Sequence, residues 1–254
     1  MGLLATDVVD GAVELARRAG ALTLRWFRSD ALEVARKGDG SVVTAADRDA
    51  ERLIRDELRS AYPDDAVVGE EHGVDAGTSG RTWFIDPIDG TTGFVRGVPL
   101  YSTLLALCDE EGPCLGVVHL PALQSTLWAV RGGGCLVDGR PCRVSSTAGL
   151  AEAMVTASGY ETFRTEQMGR MLASGAALRT WGDGFGYYLV ATGGADVMVD
   201  PIAREWDLAA MPVIVSEAGG RFSSLDGAAT FAGGNGLATN GLLHDEVIAL
   251  LDVL

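Results

Sequence analysis

Residues 82–91 of the chain read Thr-Trp-Phe-Ile-Asp-Pro-Ile-Asp-Gly-Thr. The first four residues are β-branched or aromatic and predict a buried strand. Two carboxylates, Asp86 and Asp89, follow at once, and Pro87 and Gly90 favour a turn that brings them toward one point. Taken alone, a pair of this kind is more often two solvated turn residues, so its meaning depends on the other acidic positions.

Three further acidic residues accompany this pair. Glu70 follows an apolar run and therefore leaves a second predicted strand. Asp47 lies three residues after Thr44, a spacing that caps a helix and by itself needs no catalytic explanation. Asp207 opens a late apolar helix, where an acid is also common.

The side chains of this set indicate a hard divalent cation. Mg²⁺ and Ca²⁺ prefer oxygen ligands, whereas zinc prefers His or Cys. The three histidines are scattered along the chain, and the four cysteines lack the spacing of zinc ligands. A histidine-metal site or a Ser-His-Asp triad therefore has little support. We expect an oxygen-only site formed by Glu70, Asp86, Asp89 and Asp207.

The composition sets outer limits on the function. The 254 residues are 47% hydrophobic and 22% charged, which is typical of one large globular domain or two packed subdomains. The net charge of -15 disfavours nucleic acid and anionic membrane surfaces as partners. The cysteine pattern and the absence of a signal-peptide pattern favour a reduced, cytoplasmic protein.

Hydrophobic periodicity predicts an order of elements along the chain. Predicted helices are 3–27, 44–60, 162–173, 185–192 and 206–218, and predicted strands are 66–68, 82–85, 102–107, 115–120, 126–130, 153–158 and 195–199. The turn-dense residues 131–141 mark a candidate boundary. We expect an N-terminal α+β subdomain over 1–140 with most of the metal ligands, and a C-terminal α/β subdomain over 141–254 that completes the site.

Four motifs in this order resemble the inositol monophosphatase superfamily of magnesium-dependent, lithium-sensitive phosphatases. They are Lys37–Asp47, Gly69-Glu-Glu71, Asp86-Pro-Ile-Asp-Gly-Thr91, and Trp206-Asp-Leu-Ala-Ala with Glu217-Ala-Gly-Gly. Each motif alone is weak, but their order and separations are specific, and they extend over nearly the whole chain. The resemblance implies an α/β (α+β) fold, a five-layer αβαβα sandwich, and usually a homodimer.

The resemblance also implies two or three Mg²⁺ ions between the two halves. It assigns Glu70, Asp86 and the carbonyl of Ile88 to the first ion, and Asp86, Asp89 and Asp207 to the second. It further implies that Asp47 helps to hold a third ion through water.

The same resemblance implies how a phosphate ester is held and attacked. The amides of Gly90 and Thr91 match those that bind the phosphate. The Thr91 hydroxyl and Glu70 match the pair that orients the attacking water.

The substrate is indicated by further likenesses to one branch of the family. Trp181-Gly-Asp183, Phe94–Pro99 and Asn240–Glu246 resemble the histidinol-phosphate phosphatases, whereas Thr92-Gly93 departs from the pair common in the family. Asp183 and Asp200 are expected to contact the cationic part of such a substrate, although Asp183 could equally be a turn acid or the N-cap of a helix.

The expected activity is therefore Mg²⁺-dependent hydrolysis of a small alcohol phosphate, foremost histidinol phosphate. The alternatives are an inositol-1-monophosphatase or related sugar or nucleotide phosphatase, and a non-catalytic metal-binding relative. A dinucleotide site at Gly182–Gly186 is weaker, because the full glycine motif and its acidic ribose partner are missing.

Overall fold

The computed structural model describes residues 4–38 and 40–251. Leu3, at the start of the first predicted helix, and Asp39, within the Lys37–Asp47 motif, lie outside the described residues. The helices are α1 (Thr6–Thr23), α2 (Ala45–Ala61), α3 (Thr91–Val95), α4 (Thr165–Ala173), α5 (Asp183–Ala191), α6 (Glu205–Leu208), α7 (Met211–Glu217) and α8 (His244–Leu251). The strands are β1 (Val34–Arg36), β2 (Val42–Thr44), β3 (Ala66–Gly69), β4 (Gly73–Asp75), β5 (Thr82–Asp89), β6 (Ser102–Asp109), β7 (Gly112–Leu120), β8 (Ser125–Val130), β9 (Gly134–Val137), β10 (Arg140–Pro141), β11 (Met154–Ala157), β12 (Ala177–Arg179), β13 (Val197–Asp200), β14 (Arg221–Ser223) and β15 (Gly236–Thr239).

The larger sheet has eight strands in the order β10-β9-β8-β7-β6-β5-β3-β4. Its neighbours are antiparallel except for β3 and β5, which run parallel. Since the carboxyl ends of parallel neighbours lie at the same edge of a sheet, the residues that follow β3 and those that end β5 lie side by side.

The smaller sheet has five strands in the order β12-β11-β13-β15-β14. The first three strands are parallel, and β15 and β14 are antiparallel to their neighbours. A separate hairpin joins β1 and β2, directly before α2.

Helices and sheets alternate in five layers. Helices α1 and α2 cover one face of the larger sheet through an apolar cluster that includes Ala16, Ile54 and Trp83. Helices α5 and α7 lie between the two sheets, and α4 and α8 cover the outer face of the smaller one. Burial of each large apolar side chain in these layers contributes about 1.5–3 kcal/mol. The expected αβαβα sandwich is confirmed.

Several boundaries differ from the predicted ones. The first helix ends at Thr23 and not at Phe27, because the chain continues as a series of turns. The single helix expected over 206–218 is two helices, α6 and α7. Pro212 has no amide proton to donate to the preceding turn, so it suits the beginning of a new helix.

In the described ranges, no helix combines the length and the apolar character that a membrane span requires. The division of the chain between residues 140 and 141 stays a prediction.

Candidate active site

Asp86 and Asp89, the two carboxylates of the Asp86–Thr91 motif, both lie within β5. Asp86 is 2% exposed and Asp89 8% exposed, so neither is a solvated turn residue. The turn expected at Pro87 is absent, and β5 instead continues with a shift in its pairing with β6 between the two acids. Because a bulge of this kind redirects side chains, it allows both carboxylates to reach the same side of the strand end.

Asp207 joins them from the other half of the chain. It lies in α6, where its Oδ2 accepts a hydrogen bond from the Arg204 amide at 2.7 Å. Carboxylate oxygens of Asp86, Asp89 and Asp207 all lie within 4.8 Å of one another. The three acids line a cavity of about 310 Å³, whose wall also includes Glu70.

Burial is the main influence on the protonation of this cluster. It raises the pKa of Asp86 and of Asp89 well above the usual range, and repulsion from Glu70 and from Asp183, respectively, raises them further. Burial also raises the pKa of Asp207 to about 6. Three carboxylates this close can all ionise only if a cation offsets their charge. The donors are all oxygens, so the cluster fits a hard divalent ion such as Mg²⁺.

Glu70 reaches the cavity from the turn after β3. Its amide donates to the Ile85 carbonyl at 3.3 Å, which holds the turn beside β5. Its carboxylate lies outside the three-aspartate cluster, at the position where the parallel pairing of β3 and β5 places it.

Asp47 caps helix α2, as its spacing from Thr44 predicts, and its part in holding a third ion stays a prediction. With Thr44 it forms a capping box at the start of α2, and its Oδ2 accepts the Thr44 amide at 2.8 Å. Its Oδ1 lies 3.2 Å from the hydroxyl of Thr91, which lies 2.9 Å from the Ile88 carbonyl. The hydroxyl has one proton, so it donates to one of these two acceptors at a time.

Gly90 and Thr91 form part of the cavity wall at the start of α3. Gly90 has φ +85°, a left-handed conformation that favours glycine. A Cβ at this position would lie 2.9 Å from Oδ2 of Asp183, so the Asp183 carboxylate approaches the backbone there closely.

Asp183 and Asp200 lie on either side of Ser158. The Ser158 hydroxyl donates to Oδ1 of Asp200 and accepts the Asp183 amide at 2.9 Å. Asp183 is the first residue of α5, with φ +53°, and Gly182 takes the N-cap position, so the N-cap explanation is wrong. Burial raises the pKa of Asp183, and it raises that of Asp200 to about 7. Their contact with a substrate stays a prediction.

Some cavity residues were given no role on sequence grounds. Lys37, Ser41, Arg204 and Trp206 also line the cavity. The Lys37 ammonium lies 2.6 Å from Oε1 of Glu70 and 2.7 Å from Oε1 of Glu71. Burial lowers the Lys37 pKa, but the hydrogen bonds to both glutamates outweigh this and raise it. The sequence feature that could have identified Lys37 is its position at the start of the Lys37–Asp47 motif.

Comparison with known proteins agrees with this geometry. Residues 5–253 match the inositol monophosphatase family. The chain is 44% identical to a histidinol-phosphatase of Mycobacterium tuberculosis, over 98% of this chain and 97% of the relative. It is 37% identical to a fructose-1,6-bisphosphatase/inositol-1-monophosphatase of Thermotoga maritima, over 97% and 96% of the two chains.

Solved structures show the same fold. An IMPase of Thermotoga maritima superposes with a TM-score of 0.88 at 36% identity, covering 97% of each chain. The extragenic suppressor protein suhB of Bartonella henselae superposes with a TM-score of 0.92 at 28% identity, over 97% of this chain and 99% of the other. The chain therefore belongs to the inositol monophosphatase family.

Proposed function

We propose that this protein is a Mg²⁺-dependent phosphate monoester hydrolase whose substrate is histidinol phosphate. The observation that carries the hydrolase assignment is the convergence of Asp86, Asp89 and Asp207 at one cavity. The substrate rests on three histidinol-phosphatases that are 40–44% identical to the chain.

Two ions, with a third more weakly held, would be bound by residues at this cavity. Glu70, Asp86 and the Ile88 carbonyl would hold the first, Asp86, Asp89 and Asp207 the second, and Asp47 would assist the third. Bound Mg²⁺ supplies a more acidic water and neutralises charge on the phosphate.

The chain's own groups complete the chemistry. The Thr91 hydroxyl and the Glu70 carboxylate would orient the attacking water, since both residues line the cavity. The amides of Gly90 and Thr91 would donate to phosphate oxygens, where charge accumulates during the reaction. Asp183 and Asp200 would pair with the ammonium and imidazole groups that histidinol phosphate carries and inositol phosphates lack.

The test is a hydrolysis comparison with and without Mg²⁺. Histidinol phosphate, inositol 1-phosphate, a nucleotide monophosphate and a sugar bisphosphate are assayed for kcat/KM, and each is repeated after chelation. A charged hydrogen bond is worth about 1.5–3 kcal/mol, so we expect histidinol phosphate to be preferred roughly ten- to over a hundredfold. Full activity in metal-free protein would contradict the hydrolase mechanism.

A second candidate is hydrolysis of inositol 1-phosphate, because a bifunctional Thermotoga maritima relative named for that activity is 37% identical. A wild-type preference for the inositol ester would establish it. Hydrolysis of none of the four esters would favour a non-catalytic metal-binding relative.

The remaining family properties belong to the same proposal. We expect a cytoplasmic homodimer that is inhibited by millimolar lithium, because Li⁺ would replace the second ion. Light scattering measures the assembly, and a lithium titration at fixed Mg²⁺ measures the inhibition. Insensitivity to lithium would separate this chain from its relatives in that property.

A further inference from the structure

A buried carboxylate outside the cavity wall holds the turn that carries Glu70. Glu51 lies in α2 and is 0% exposed. Its Oε2 accepts the Glu71 amide at 2.7 Å, and its Oε1 accepts the His72 amide at 3.1 Å. The two residues that follow Glu70 are therefore fixed through their backbone by one side chain of α2.

Arg55, one helical turn later, completes the contact. Its Nε donates to Oε1 of Glu51 at 2.7 Å, and its Nη2 donates to the Gly73 carbonyl at 2.5 Å. Its Nη1 donates to Oδ2 of Asp75 at 2.9 Å. The guanidinium thus offsets the buried charge of Glu51 and binds the far side of the same turn.

The fit around Glu51 leaves no space for another atom. A Cβ at Gly69 would lie 2.3 Å from Oε1 of Glu51 and 2.7 Å from Nη2 of Arg55. A glycine immediately before Glu70 therefore permits the close approach of α2 to the end of β3.

Asp47, Glu51 and Arg55 are spaced four residues apart, so they form one stripe along α2. At the start of the stripe, Asp47 contacts the Thr91 hydroxyl, and one turn later Glu51 holds the Glu70 turn. One helix therefore contacts both Thr91 and the Glu70 turn, which follow the neighbouring strands β5 and β3.

We propose that Glu51 is a positioning residue for Glu70, acting through the amides of Glu71 and His72. The inference rests on the proposed function, in which Glu70 is a Mg²⁺ ligand. The Glu51 carboxylate accepts from three N–H groups, those of the Glu71 amide, the His72 amide and the Arg55 guanidinium. The isosteric change Glu51→Gln would set its own NH₂ against at least one of them and release the turn.

The experiment measures Mg²⁺ binding without turnover, as the rise of the thermal unfolding midpoint with Mg²⁺ concentration. Wild type is compared with Glu51→Gln and Glu70→Gln. The matched control is Asp65→Asn, because Asp65 is a buried carboxylate at the opposite end of β3 that accepts bonds from Ser79, Arg81 and Trp83.

Loss of a group that supports a metal ligand typically weakens metal binding about 10- to 100-fold. We expect Glu51→Gln to raise the half-saturating Mg²⁺ concentration by at least about tenfold, and Glu70→Gln to raise it in the same direction. Asp65→Asn should lower the midpoint and leave the half-saturating concentration within about twofold of wild type. At saturating Mg²⁺, Glu51→Gln should lower kcat more than it changes KM for the ester.

The other outcomes overturn the inference in distinguishable ways. If Glu70→Gln weakens binding but Glu51→Gln does not, positioning by Glu51 is wrong and the Glu70 assignment survives. If Glu70→Gln has no effect, the assignment of Glu70 as a ligand fails and the inference fails with it. If Asp65→Asn weakens Mg²⁺ binding as much as Glu51→Gln does, general destabilisation explains the effect and the positioning role is wrong.

If Glu51→Gln does not fold, Arg55→Lys is measured in its place. This change keeps a positive charge near Glu51 but removes the forked contact with Gly73 and Asp75. It should raise the half-saturating Mg²⁺ concentration in the same direction by a smaller factor. A wild-type value in folded Arg55→Lys, with Glu51→Gln unfolded, would overturn the proposal.

Discussion

Oδ2 of Asp89 accepts a hydrogen bond from the Ser102 hydroxyl at 2.9 Å, across the paired strands β5 and β6. The Gly184 amide donates to the same oxygen from α5. One oxygen of Asp89 thus joins the larger sheet to the layer between the sheets.

Asp89→Asn should keep the fold and lose activity. The amide oxygen can accept both bonds, but the change removes one negative charge from the three-aspartate cluster. We expect kcat at saturating Mg²⁺ to fall about 100-fold, with an unchanged circular dichroism spectrum. Asp49→Asn, at a half-exposed position on α2 where the carboxylate pairs with Arg52, is the control. A near-normal kcat would make Asp89 a purely structural residue.

Lys37→Gln should lower kcat about tenfold or more, because the ammonium that aligns the Glu70 and Glu71 carboxylates is lost. Burial raises the pKa of Glu71 to about 7 even with Lys37 present, so loss of Lys37 should favour its protonated form further. Steady-state kinetics at several Mg²⁺ concentrations measure the change. Arg36→Gln removes an exposed neighbouring charge and should have little effect; equal losses in both variants would refute a specific role for Lys37.

Asp183→Asn and Asp200→Asn should each reduce kcat/KM for histidinol phosphate more than for inositol 1-phosphate. Each removes a partner for the cationic substrate, a loss of about 1.5–3 kcal/mol, or roughly ten- to over a hundredfold. Both esters are measured with both variants. Equal losses on the two esters would mean that these acids support the Gly90 backbone or the Ser158 network instead.

Acid should destabilise the protein through His244. Burial, helped by the charge of Arg221, lowers its pKa to about 4, and the ring nitrogens lie 2.9 Å from the Ser223 hydroxyl and 3.0 Å from the Thr239 hydroxyl. The unfolded state, with a His pKa of about 6.5, binds the proton first, so this stability is complete above pH 6.5 and is lost as the pH falls toward 4.

Urea unfolding of the Mg²⁺-saturated protein at about pH 7.5 and pH 5 measures this loss. His244→Gln should show a smaller decrease in unfolding free energy than wild type. An identical decrease in both proteins would assign the acid sensitivity to other groups.

Periodicity was sufficient for the long elements and insufficient for the short ones. Helix α2 and strands β5 to β8 have enough residues for a pattern to be visible, and all were predicted near their observed positions. Strands of three residues such as β12 and β14 are too short to show alternation, and their pairing depends on the tertiary fold. The order of the five layers came from the family resemblance alone.

The candidate site, too, could be predicted only in part from the sequence. The acidic residues were recognisable because their chemistry is shared and three of them follow or open predicted elements. Glu51 was not, and Lys37 was visible only as the start of the first motif, because their partners lie on a turn some twenty to thirty residues away and only packing brings them together. No local pattern distinguishes a buried helix glutamate that holds two amides from an exposed one.

The pairing of Asp86 with Asp207 has a consequence for folding. These residues are far apart along the chain, and a cation bound between them as proposed would join the ends of that long segment like a reversible crosslink. Unlike a disulfide, the ion would bind only the folded chain and would dissociate on unfolding, so it would stabilise the folded state by mass action. This stabilisation would increase with the concentration of free Mg²⁺. The Mg²⁺ concentration in the cell would then determine the resistance of the enzyme to unfolding and proteolysis as well as its rate.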